Sequence, residues 1–226
     1  MRLTCKRYVR PLLLGLALAM VVAANAFGST TPPTPLVPGN AQVAGRGYGQ
    51  WVVTDYQWRL TQPNITSKTS CLTAGQHGPV WFLGAGHTNA KVITRTCAVP
   101  AGRYLIWATP SYDCSTVERA PFHATSDAGL IRCARADWQS APGFETVTLD
   151  GRRLKPPAYV GGTTAFAFQM PAHNNWLHVQ GPTHGRMAVY GLASILRPLS
   201  PGRHTLELTG GFSGSTTTQV YELTIA

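Results

Sequence analysis

Acidic side chains are scarce in this chain: 9 Asp and Glu stand in 226 residues, against 19 Lys and Arg. So small a set leaves paired-carboxylate hydrolysis open but singles out no pair. Other chemistries lose their signatures outright. There is no C-x-x-C and no HExxH, so the usual zinc spacings are missing. No G-x-S-x-G occurs; "GGFSGS" (210–215) reads as a Gly/Ser loop rather than a nucleophile turn. The basic residues are scattered, with Arg152, Arg153 and Lys155 the only short cluster, so nucleic acid is not an expected partner. No apolar run beyond the first 26 residues is long enough to span a bilayer. No internal repeat is present.

What is present begins with an export signal. Arg2, Lys6, Arg7 and Arg10 precede the apolar run "PLLLGLALAMVVA", and Ala24-Asn25-Ala26 offers a cleavage site, so residues 1–26 read as a signal peptide. The expected location is therefore extracellular or periplasmic. Removing the signal takes away 4 basic residues, leaving 15 against 9 acids and a net charge of +6. Such a protein is drawn to anionic envelope surfaces in a salt-dependent way. Residues 27–47 are rich in Pro, Gly, Ser and Thr and read as a disordered tether. Residues 48–226 are left as one domain.

Four cysteines remain after cleavage: Cys71, Cys97, Cys114 and Cys133. An even number in an exported chain implies disulfides, and three pairings are possible. Sequential pairing, Cys71–Cys97 with Cys114–Cys133, closes the most compact loops and is favoured. Each bridge is worth about 3 kcal/mol in the chain-entropy picture.

Strand signals dominate the domain. "PVWFLG" (79–84) is a continuous apolar run suited to a strand buried on both faces. Its flanking histidines, His77 and His87, then stand at opposite ends, roughly 25 Å apart, and share no chemistry. "KVITRTCAV" (91–99) alternates, and "RYLIWAT" (103–109) returns after a turn. Short connections predict that these three strands are antiparallel. Further strands are expected at 145–151, 163–170, 175–181, 186–196, 202–210 and 218–226. "YGQWVVTDYQWRL" (48–60) fits a helix and a strand equally well. "TSDAGLIRCARADW" (125–138) is the clear helix, capped by Thr125 or Ser126, with Leu130, Cys133/Ala134 and Asp137/Trp138 on one face. The sum is a mainly β fold: an antiparallel β-sandwich, jelly-roll-like, with one or two short helices.

The segment "GQHGPVWFLGAG…TRTCAVPAGRYLIWATPSYDCS" resembles an uncharacterised family of secreted bacterial proteins. That family carries "GQ-x-G-PVWFLAG", then "R-x-C-x-VPAGK", then a strand leading to another cysteine. "YGQWVVTDYQW", Asp150-Gly151 and "LSPGRHT" (199–205) match its other motifs, so the resemblance covers most of 48–226. The family often has "WFLAGT" where this chain has "WFLGAGH", so His87 is not carried over. The resemblance implies export and a β-rich fold; it implies no catalytic residues.

The candidate sites are modest. His173, His178 and His184 fall close together but lack metal-ligand spacing, so neither a metal nor a cofactor is expected. Asp113, Glu118 and Asp127 cluster around the second cysteine pair, where turn hydrogen bonds and helix capping are their ordinary work. Trp81 and Trp107 belong in the core. Trp176 follows Asn174-Asn175, and an exposed Trp beside amides can stack on a sugar ring while the amides bond its hydroxyls. The leading expectation is thus a non-enzymatic exported module that binds a saccharide or envelope polymer. A secreted polysaccharide hydrolase using Asp113 or Glu118 is the alternative, and a structural envelope protein is the third.

Overall fold

The computed structural model describes residues 34–63, 71–84, 90–155 and 159–226. The export segment and His87 lie outside them. In chain order the elements are α1 (Tyr48–Thr61), β1 (Val80–Phe82), β2 (Val92–Val99), β3 (Tyr104–Trp107), β4 (Ser111–Ser115), α2 (Asp127–Ser140), β5 (Phe144–Leu149), β6 (Arg152–Arg153), β7 (Tyr159–Gly162), β8 (Phe166–Gln169), β9 (His184–Leu196), β10 (Gly202–Phe212) and β11 (Ser215–Ile225).

Two sheets form a sandwich. The first has the order β1-β3-β9-β4, with β7 and β8 also paired to β9; the second runs β2-β11-β10-β5-β6. The long β9 organises the first sheet. Gly191 has Ser111 of β4 on one side and Gly161 of β7 on the other. β3 and β4 both pair with β9, at 194–196 and 187–191, and residues 108–110 interrupt them. This break lifts Ala108, Thr109 and Pro110 out of the regular ladder.

The first sheet is buried on both faces, which explains its apolar strands. Trp81, Leu83, Leu105 and Trp107 face the second sheet, among Val147, Leu206, Leu208, Tyr221 and Leu223. Val80, Phe82, Ile106 and Ile195 face the other way, onto α1. The second sheet has one wet face, so β2 alternates strictly, with Ile93, Arg95, Cys97 and Val99 inward.

The three strands β1, β2 and β3 do not form the antiparallel meander expected from their short connections. β2 crosses to the second sheet, where it runs parallel to β11. β1 and β3 therefore meet as a parallel pair. The sandwich is otherwise antiparallel, and this crossover sets it apart from a simple jelly roll.

The ambiguous segment at 48–60 is helical. Buried positions Tyr48, Trp51/Val52, Asp55/Tyr56 and Arg59 recur at helical spacing. The Gln50 side chain accepts the Gly47 N–H at 3.0 Å and closes the N-terminus. The segment expected as a disordered tether is packed from Leu36 onward: Leu36, Val37 and Val43 are buried. The helix explains this, because Tyr48 Oη donates to the Val37 carbonyl (2.6 Å) and Trp51 Nε1 to that of Val43 (2.9 Å).

α2 matches expectation closely. Ser126 is the cap, its hydroxyl accepting the Gly129 N–H at 3.2 Å. Leu130, Ala134 and Trp138 are its buried face. The disulfides are Cys71–Cys97 and Cys114–Cys133, with Cα separations of 5.1 and 6.0 Å. The second ties β4 to α2. Residues 175–181, expected as a strand, form a compact turn instead. The Asn175 amide donates to the carbonyls of Pro171 (3.0 Å) and Val179 (2.7 Å) and accepts the Val179 N–H (3.2 Å). A side chain that satisfies three local backbone groups competes with the ladder.

Candidate functional site

A cavity of about 270 Å³ opens where the break between β3 and β4 faces the β10–β11 hairpin. Tyr56 and Arg59 come from α1, Ser111 and Asp113 from β4, Glu145 from β5, and Trp176 from the turn. Gly210 and Gly211, in its wall, let the hairpin close on itself and on β5. A Cβ at Gly210 would stand 2.6 Å from the Phe144 carbonyl oxygen, and one at Gly211 would run into that of Ser215. The "GGFSGS" glycines thus serve close backbone approach.

The cavity is not isolated. Ser111, Asp113 and Trp176 also line a second one of about 250 Å³, which adds Glu118, Phe122 and His178. Glu118, Phe122 and His178 in turn line a third, of about 670 Å³, between the loops at 117–122 and 177–182. The three share wall residues in succession.

Of the nine acids in the chain, Asp113, Glu118 and Glu145 line these cavities, and Asp55 lies close to Tyr56 of the first. Burial pushes Asp113 up to about 6, with the Arg59 charge opposing. Burial, then the Asp113 charge, raise Glu118 to about 8, while a Ser115 hydrogen bond pulls it down. Glu145 also rises to about 8 through burial, against the Trp107 indole N–H that donates to its Oε1 at 2.7 Å. The Oε2 atoms of Glu118 and Glu145 are both buried without a hydrogen-bond partner.

Arg59 is the cation of the first cavity. Its Nη2 donates to Asp55 Oδ2 at 2.5 Å, and its guanidinium lies over the Tyr56 ring at 4.8 Å and the Trp176 ring at 4.9 Å. Tyr56 Oη donates to Ser111 Oγ (2.6 Å), which donates to the Ala108 carbonyl (3.0 Å). This chain fixes the wall beside Asp113.

The residues expected to bind a ligand are placed differently from expectation. Trp176 is 8% exposed, so it is no surface platform; it is a wall of the first two cavities. Asn175 is buried and spends its amide on the turn; Asn174 is exposed on that turn, at φ 51°. Of the three acids clustered in sequence, Asp113 and Glu118 converge, whereas Asp127 pairs with Arg186 at the surface (2.6 Å). Glu145, Arg59 and Asp55 escaped the sequence reading. The Asp55/Arg59 spacing of four within an aromatic segment was the available signal.

Among the described residues, the histidines do not gather. His77 is an exposed end whose Nδ1 lies 2.7 Å from the Gly75 carbonyl. His173 meets Gln180 (2.6 Å) and His184 meets Thr183 (2.8 Å). Asp150, His204 and Ser200 form a Ser-His-Asp row, with His204 Nδ1 2.8 Å from Asp150 and Nε2 3.4 Å from Ser200 Oγ. Nε2 is closer, 3.0 Å, to the Ser200 carbonyl oxygen, to which it must donate. A ring nitrogen that donates is not available as the base of a triad. This row is a staple for the "LSPGRHT" turn. Among the described residues, Cys114, Cys133 and Asp137 bring metal-ligating atom types together, but both sulfurs are bridged.

No protein-family model matches the chain, and no curated protein matches it either. Among solved structures, a chain from the structure of PbICP-C in complex with falcipain-2 aligns with 66% of this chain and all of its own length, at 11% identity and a TM-score of 0.26. That likeness is too slight to bear on function. Among the described residues, no helix is long and apolar enough to cross a membrane.

Proposed function

We propose that this protein is a secreted hydrolase that cleaves a polysaccharide at the second cavity, with Asp113 as base and Glu118 as acid. One observation supports the reading above others. Two of the chain's few carboxyls line the second cavity together; burial raises both, and the Asp113 charge raises Glu118 further. A carboxyl held protonated beside a more readily ionised one fits the two halves of acid–base chemistry. In this reading Asp113 is the ionised base and Glu118 the protonated acid. Glu118 would give that proton to the leaving glycosidic oxygen as the C–O bond breaks. Asp113 would take a proton from the water that adds to the sugar carbon. Exchange with solvent restores both groups, and the net change is one bond hydrolysed.

The substrate class rests on the walls. The Trp176 and Tyr56 rings stand in the wall beside carboxyls that would accept hydrogen bonds from sugar hydroxyls. Three cavities that share wall residues in succession suit a chain rather than a single small molecule. Export, the expected positive charge and the family resemblance fit an envelope polymer as the target.

The test is release of reducing ends from soluble polysaccharides and envelope preparations. The expected result is turnover lost in Asp113→Asn and Glu118→Gln, with folding unchanged by circular dichroism. Binding without turnover would favour a saccharide-binding module, the reading that the Trp176 wall also supports. Neither binding nor turnover would leave a structural envelope role.

A further inference from the structure

We infer that the first cavity is a subsite for an acetamido group, with Gln219 and Arg59 as its donors, so that the glycan taken at the site is N-acetylated. This rests on the reading that the site takes a glycan. The cavity adjoins the acid–base pair, with Ser111, Asp113 and Trp176 in the walls of both. Gln219 faces inward from β11, and its Oε1 accepts from Arg95 Nη1 at 2.9 Å and from Tyr221 Oη at 2.9 Å. A guanidinium only donates, so the amide oxygen is fixed towards Arg95 and the nitrogen away from it. Gln219 Nε2 makes no hydrogen bond, is not sealed off by its neighbours, and belongs to a residue that lines the cavity. Arg59 is held just as firmly, by Asp55 on Nη2 and by the Tyr56 and Trp176 rings on its faces. Its Nε is buried, whereas Nη1 is the nitrogen left open and without a partner in the cavity wall. Tyr221, bonded to Gln219, also feels the Arg59 charge, so the two donors are neighbours.

Two fixed donors call for an oxygen with lone pairs to spare. An ammonium group has none to offer. A carboxylate has them, but it would stand beside the carboxyls of Asp113 and Glu145 in the same wall. The charged groups around the donors are Asp55 from α1, Arg95 from β2, Asp113 from β4 and Glu145 from β5, with Arg59 itself. Two cations among three carboxyls favour neither sign of ligand charge. A neutral carbonyl oxygen can meet both donors with its two lone pairs. An acetamido substituent carries such an oxygen. Its N–H finds the Thr217 hydroxyl, two residues before Gln219 on the same face of β11, and its methyl finds Pro110, Leu208 and Phe212. A cavity of about 270 Å³ suits one substituted ring.

The experiment is calorimetric titration of the disulfide-bonded protein with oligomers of glucose, glucosamine and N-acetylglucosamine. At one length and one linkage these differ in a single ring substituent: hydroxyl, ammonium or acetamido. Two hydrogen bonds to otherwise unpaired donors predict that the N-acetylglucosamine oligomer binds about tenfold tighter than the glucose oligomer. Gln219→Glu keeps an acceptor for Arg95 and Tyr221 but replaces the Nε2 donor by an oxygen, so it should erase that preference and leave glucose-oligomer binding unchanged. Thr217→Val should weaken the preference without removing it. Equal affinity for the glucose and N-acetylglucosamine oligomers, tightest binding of glucosamine, or a preference that survives in Gln219→Glu would overturn the inference. The acetamido preference without hydrolysis would overturn the hydrolase and leave this inference standing. Hydrolysis of a glycan with no acetamido preference would do the reverse. No binding by any of the three would overturn the inference, whatever the result for turnover.

Discussion

The Arg59 guanidinium lies 4.9 Å over the Trp176 ring, with Asp55 holding it from within the same helix. Both partners of this ion pair are buried. Removing one side leaves the other as an uncompensated buried charge. Arg59→Met is therefore expected to cost about 3–5 kcal/mol by chemical denaturation. Asp55→Asn combined with Arg59→Met should cost less than Arg59→Met alone, because no charge is then stranded. A double variant as unstable as the single one would mean that the pair contributes through packing of the arginine stem.

The acid–base pair predicts a bell-shaped pH profile for turnover. Asp113 must be ionised, so the rate rises through about 6; Glu118 must be protonated, so it falls through about 8. Asp113→Asn and Glu118→Gln should each lower kcat by about 10²–10⁴-fold. A flat profile between pH 5 and 9 would separate these groups from the chemistry.

How far the site was legible in the sequence depends on how local its causes are. The double burial of "PVWFLG" and the alternation of β2 are written in their own residues, and both are found. Alternation tells which face a residue takes but not which strand lies beside it, so the crossing of β2 to the second sheet was not readable. α1 was undecidable because its apolar and aromatic residues fit both periods; the first sheet packs it on one side and residues 36–43 on the other, and Gln50, Gln57 and Thr61 stay exposed. Asp113 in β4 and Glu118 just after it are near neighbours in sequence and could be named as candidates. Glu145 could not, since its indole partner is 38 residues away and its cavity forms only when both sheets are in place.

The same carboxyls make stability depend on pH. Asp113, Glu118 and Glu145 all have raised values in the folded state, so folding takes up protons there. Their contribution is most favourable below the ordinary carboxylate range, about 4, and is lost as pH rises towards about 8. The melting temperature should fall between pH 5 and pH 9, and Glu145→Gln should shrink that fall. An unchanged slope in Glu145→Gln would mean that this carboxyl ionises freely in the folded protein.

The Cys114–Cys133 bridge follows directly on Asp113 and anchors β4 to α2. Replacing both cysteines by serine should cost about 3 kcal/mol for a loop of this size. Non-reduced peptide mapping should return 71–97 and 114–133 linked fragments, and a 71–133 fragment would contradict the fold.

The His204 staple supplies a separate pH signature. Partial burial opposes the charge on His204, but the hydrogen bonds to Asp150 and to the Ser200 carbonyl win, and its value is raised. A raised histidine stabilises fully below its unfolded value of about 6.5 and loses that contribution as pH climbs through the folded value. Asp150 is lowered: burial acts against this, but the bonds from His204 and from the Thr205 N–H prevail. Its share is present above about 4 and disappears as pH falls through the folded value. The staple is thus strongest between about 4 and 6.5. The difference in melting temperature between the native protein and His204→Gln should peak near pH 5.5 and narrow by pH 8. A constant difference across that range would show that the ring holds the turn as a neutral donor.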